Sequence, residues 1–147
     1  MGQLADFFIA SEGDFDPARL LEQSPREVFP CVQYKNIDPV NLATLQHIVS
    51  GVKCERAVAE INAGLITKGD GGPWVFRLSN DLCAALAGFT RPSAQKAAVR
   101  WIETQEWKLQ GATSKDLPDF TRMLLDIGGL AKRALSEGKR LYLWMSL

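Results

Sequence analysis

GKRLYLWMSL, residues 138–147, reads as a buried strand with a helix stop in front of it. Tyr142, Leu143, Trp144 and Met145 are residue types that suit a pleated, half-buried surface. Gly138 supplies the break, because a glycine just past a helix adopts the left-handed conformation that ends it. An apolar segment of this kind is an aggregation hazard unless it is paired within a sheet. The expectation is that this strand completes the fold, with residues 1–147 forming one globular domain. A chain of 147 residues buries roughly 70% of its unfolded surface. That core is large enough to stand without disulfides or a structural metal.

Upstream of Gly138 lies the clearest amphipathic stripe in the chain. Phe120, Met123, Leu124, Ile127, Leu130, Ala131, Ala134 and Leu135 recur at the helical period. Asp116 and Pro118 give this helix its start. A second long helix is expected from Thr90–Ser93 to about Leu109, with Ala94, Ala97, Ala98, Trp101 and Ile102 inward. Further helices are read after Asp16-Pro17, after Asp38-Pro39, from about Cys54 to Leu65, and over Asp81–Gly88. The other strands are QLADFFIAS at residues 3–11, VFPCVQYK at 28–35, and WVFRLS at 74–79. Pro30 places the second of these at an edge or a bulge. The fold class is α+β, with a small, mixed sheet of about four strands packed with about six helices.

Charge narrows the function classes. Seventeen basic and 17 acidic residues cancel, whereas nucleic-acid binders carry a basic excess or stripe. The short cluster Lys132-Arg133, Lys139-Arg140 sits near a helix end, where cations suit the helix dipole. No apolar run approaches the ~20 residues of a membrane span. Cys31, Cys54 and Cys83 are isolated and odd in number, so neither a disulfide framework nor a zinc knuckle is indicated. The expected setting is the cytoplasm, with no nucleic acid, membrane, cofactor or metal as partner.

No nucleophile, phosphate-loop or metal-binding motif appears, and there is one histidine, His47. His47 lies away from the apolar face of its helix, where it is open to act as a base or ligand. The KGDGGP loop, Lys68–Pro73, offers a backbone nest for an anion, yet it leads into a strand rather than a helix. Asp6 is a carboxylate within an apolar strand, which must be paired or shifted in pKa. Gly128-Gly129 interrupts a strong helical stripe, as close packing against another backbone would require.

Strand alternation offers a candidate surface. It puts Leu141, Leu143 and Met145 on one side of the sheet, with Tyr142, Trp144 and Ser146 on the other. The same rule separates Trp74, Phe76 and Leu78 from Val75 and Arg77, and Val32 and Tyr34 from Cys31 and Gln33. Gln33, Arg77, Tyr142, Trp144 and Ser146 then share one amphipathic face, the composition used by pockets and interface hot spots. Trp107, on the polar side of the long helix, is a separate candidate contact, whereas a helix that bends or ends early would bury it instead. The expected function is a non-catalytic binding or interaction domain with a protein partner or self-association. The alternative is a small enzyme for a polar or anionic metabolite, with Arg77 on the anion and His47 or Asp6 moving a proton.

Overall fold

A computed structural model of the protein describes residues 3–68 and 70–147. In chain order the strands are β1 (Leu4–Ala10), β2 (Cys31–Lys35), β3 (Leu65–Lys68), β4 (Trp74–Arg77) and β5 (Arg140–Ser146). The helices are α1 (Pro39–Ser50), α2 (Cys54–Ala63), α3 (Asn80–Ala87), α4 (Arg91–Ile102), α5 (Gln105–Leu109) and α6 (Leu117–Glu137). Three short 3₁₀ turns join them, at Pro17–Leu21, Pro25–Glu27 and Ser114–Asp116. The strands form one sheet in the order β2-β1-β5-β4-β3. Every neighbouring pair is antiparallel.

The sheet corrects the sequence reading twice. It has five strands rather than four, and it is antiparallel rather than mixed. The additional strand, β3, is four residues long and follows α2 after one glycine. Leu65 therefore continues the helical spacing of Ile61, and periodicity alone assigns it to the helix. Strand direction was beyond reach because the connections are long enough for either sense.

Local chemistry explains most element ends. Asp38 and Asn41 form a reciprocal capping box at the start of α1, and Gly51 closes it at φ 77°. Thr90 and Ser93 do the same for α4. The long helix expected to reach Leu109 instead breaks at Glu103 and Thr104 and restarts as α5. The second strand begins at Cys31, not Val28, because Pro25–Glu27 is a turn.

The helices cover one face of the sheet. Phe7, Ile9, Phe76, Leu78, Leu141 and Leu143 point into them and meet Leu42, Leu82, Leu86, Trp101, Leu124 and Ala131. The two glycines of α6 divide cleanly. A Cβ on Gly128 would sit 2.7 Å from the Leu86 carbonyl oxygen of α3, whereas one on Gly129 would meet nothing. Gly128 thus permits the α3–α6 approach, and Gly129 does not serve it. The opposite face carries Phe8, Ala10, Val75, Tyr142 and Trp144, covered by the 11–30 segment through Phe15, Leu20 and Phe29.

Candidate functional site

Alternation along β1, β2, β4 and β5 brings the candidate residues to this loop-covered face. Tyr142 is its anchor. It is 1% exposed, stacks on Phe8 at 5.1 Å and meets the edge of Phe15 at 5.0 Å. Burial, then the charge of Glu12, pushes its phenol above the usual range. Trp144 is also buried, and its indole N–H donates to the Leu20 carbonyl at 2.7 Å. That bond ties the first 3₁₀ turn to the sheet.

Beside Trp144 the face turns polar. Asp6 pairs across the sheet with Trp144 on one side and Gln33 on the other. Its side chain is fully buried, and both oxygens are engaged. Gln33 Nε2 donates to one at 2.7 Å, and Ser24 Oγ donates to the other at 2.8 Å. Arg26 in turn donates to Gln33 Oε1 at 3.0 Å. A buried carboxylate held in this way ties β1 to β2 and to the second 3₁₀ turn. Burial, and then Asp6, pushes the neighbouring Cys31 thiol up to about 12. Cys31 therefore stays protonated at neutral pH.

Above this network is a groove of about 510 Å³ lined by Leu4, Ser24, Arg26, Glu27, Gln33 and Trp144. Ser146 lies one same-face position beyond Trp144 and opposite Leu4. The groove combines an indole wall with a guanidinium, a hydroxyl, an amide and a carboxylate. Glu27 is oriented by Gln23, whose amide donates to it at 2.7 Å.

The remaining candidates lie elsewhere. Arg77 shares the face but pairs with Tyr142 across the sheet, and its guanidinium is given to Glu12 at 3.1 Å. Arg140 reaches the same Glu12 oxygen at 3.1 Å, so the three form a latch on the start of the covering segment. His47 is exposed on α1, on the helical side of the sheet, and its Nδ1 donates to the Val52 carbonyl at 2.8 Å. Asp6, His47 and Arg77 therefore do not converge in one pocket. Trp107 is not a surface residue. The break before α5 turns it inward, against Trp101 at 5.1 Å and Phe120 at 4.7 Å. The anion nest expected at Lys68–Pro73 lies outside the described residues, because it needs Gly69 and the Lys68 side chain.

Ser24, Arg26 and Glu27, which line the groove, are not among the residues singled out from the sequence, although a signal for the turn is present. Ser24-Pro25 has the same cap-then-proline form as Asp16-Pro17 and Asp38-Pro39, and the Ser24 side chain indeed caps the turn at Arg26 N. Among the described residues, no three or more His, Cys, Asp or Glu side chains gather as metal ligands. None of the described helices is long and apolar enough to cross a membrane.

No family model and no curated protein sequence matches the chain. Among solved structures it is similar to the crystal structure of YfbM, a protein of unknown function from Escherichia coli. The identity is 13% and the TM-score 0.47, over 97% of this chain and 99% of that one.

Proposed function

We propose that the protein is a non-catalytic, cytoplasmic binding domain that takes a small polar ligand in the groove over Trp144. The observation that carries this reading is the full engagement of Asp6. The buried carboxylate beside the groove accepts two hydrogen bonds, and through Gln33 it also positions Arg26, so it serves to fix the groove's polar edge. Binding sites are built in this way, with an apolar wall and a few fixed polar groups that set orientation. Arg26 and Glu27 place opposite charges on one rim. The ligand class that suits them carries both signs, with a flat or apolar part laid on the indole.

A thermal-shift screen of zwitterionic metabolites tests the proposal. A ligand present at about 100 times its dissociation constant adds about 2.7 kcal/mol. In a domain of this size that raises Tm by roughly 5–10 °C. Arg26 and Glu27 are exposed, so Arg26→Ala and Glu27→Ala keep the fold. A shift that each variant removes supports the groove. A shift that both variants keep places the ligand elsewhere and overturns the assignment.

A further inference from the structure

On the far side of the molecule, among the helices, a second cavity has a different character. It measures about 370 Å³ and lies between α4 and α6. Arg91 and Gln95 contribute from α4 and Arg122 from α6, while Leu117, Pro118 and Leu125 form an apolar wall. Neither arginine belongs to any of the ion pairs formed among the described residues. The acid one turn beyond Arg122, Asp126, accepts instead from the Tyr34 hydroxyl. The Tyr34 phenol is pushed up by burial and by that same bond, so the pairing persists at neutral pH.

The local charge is uneven. The chain as a whole is neutral; α4 carries Arg91, Lys96 and Arg100 and no acid, while on α6 Asp119 and Asp126 stand about one turn to either side of Arg122. Arg91 and Arg122 line one concavity, and with neither held in an ion pair among the described residues both guanidiniums are free to turn to an anion placed there. We propose that this cavity binds the dianionic phosphoryl group of a small organic phosphate, held between Arg91 and Arg122. Guanidinium forks match phosphate oxygens, and two of them balance a double negative charge that one carboxylate would not supply. The cavity exceeds the needs of a bare phosphate ion. The organic part of the ligand lies on Leu117, Pro118 and Leu125, and the Gln95 amide adds a neutral hydrogen-bonding group. This site is independent of the groove over Trp144 and stands or falls separately.

Phenyl phosphate is the probe, titrated at fixed ionic strength while backbone amide resonances are followed. The expected result is saturable shifts confined to the first turns of α4 and to residues 117–125 of α6. Arg91 and Arg122 are exposed, so Arg91→Gln and Arg122→Gln retain the fold, which circular dichroism verifies. Each loses about tenfold or more in affinity, the equivalent of one charged hydrogen bond. Lys96→Gln makes the same charge change on α4 outside the cavity and leaves affinity unaltered. Equal weakening by Lys96→Gln, or no saturation in the wild-type protein, overturns the site. Inorganic phosphate binding as tightly as phenyl phosphate overturns the role of the apolar wall.

Discussion

The two faces of the sheet are held by different means. On the helical face, the apolar stripes of α1, α3, α4 and α6 join Phe7, Ile9, Leu141 and Leu143 in one continuous core. On the loop face, a 20-residue segment with only two 3₁₀ turns covers a smaller cluster around Phe8 and Tyr142. Its positions are fixed by directed bonds: Trp144 to Leu20, Ser24 to Asp6, Arg26 to Gln33, and Arg77 and Arg140 to Glu12. One face depends on buried area, which is tolerant of direction. The other depends on hydrogen bonds, which are specific and easily unmade. A binding groove belongs on the second kind of surface, because polar groups remain there to be shared with a ligand.

The largest expected effect comes from the helical face. Trp101 is fully buried and donates its indole N–H to the Asn41 carbonyl at 2.8 Å. Trp101→Ala is expected to cost about 3–5 kcal/mol, with circular dichroism and tryptophan fluorescence reporting one global transition in urea. A loss confined to part of the molecule would show that the helical face is not a single core. Asp6→Ala comes next. It strips Gln33 and Ser24 of their acceptor and should cost about 1–3 kcal/mol. Hydrogen exchange should quicken in β2 and at residues 24–27 more than in α3 or α6. Equal quickening everywhere would erase the distinction between the faces.

Alkaline pH gives a smaller, graded effect to which both faces contribute, because Tyr34 and Cys83 on the helical side are raised too. Cys31 and Tyr142 on the loop face both hold their protons to higher pH than in the unfolded chain. The folded state thus binds more protons above about pH 9, and stability falls as pH rises toward the raised values. The urea midpoint should drop between about pH 8 and pH 10.5, and Cys31→Ala should flatten the slope. The smallest effect has the opposite sign. Gly129→Ala meets open space and should stabilise by up to about 1 kcal/mol through helix propensity. Gly128→Ala, aimed at the Leu86 carbonyl, should destabilise instead.

The helical face was nearly all legible in the sequence because its signals are periodic. Leu42 and Leu45, Ala94 and Trp101, and Leu124 and Ile127 each announce a stripe. Alternation likewise placed Tyr142, Trp144, Gln33 and Arg77 on one face of the sheet. The cover over that face was not legible. Residues 11–30 have no repeat, and their roles come from contacts across long separations, such as Trp144 with Leu20. Trp107 was unreadable for a related reason. Its orientation depends on a two-residue break at Glu103-Thr104 that no glycine or proline marks. β3 was lost because four residues are too few to establish a period against the helix before them. Arg91 and Arg122 are distant in sequence, so only the packing of α4 against α6 brings them to one cavity.

The central pairing of β1 with β5 has a consequence for how the molecule comes into being. Asp6 and Trp144 are register partners across nearly the whole chain. β1 also pairs with β2, but its second edge stays open until β5 arrives. During synthesis Phe7, Phe8 and Ile9 must therefore wait with one side unpaired while every helix is made. Closure over so long a separation is slow, because the loop entropy is spent before the distant contacts return it. For that interval the nascent chain is a half-built sheet with an exposed apolar edge, the form in which chaperones meet their clients.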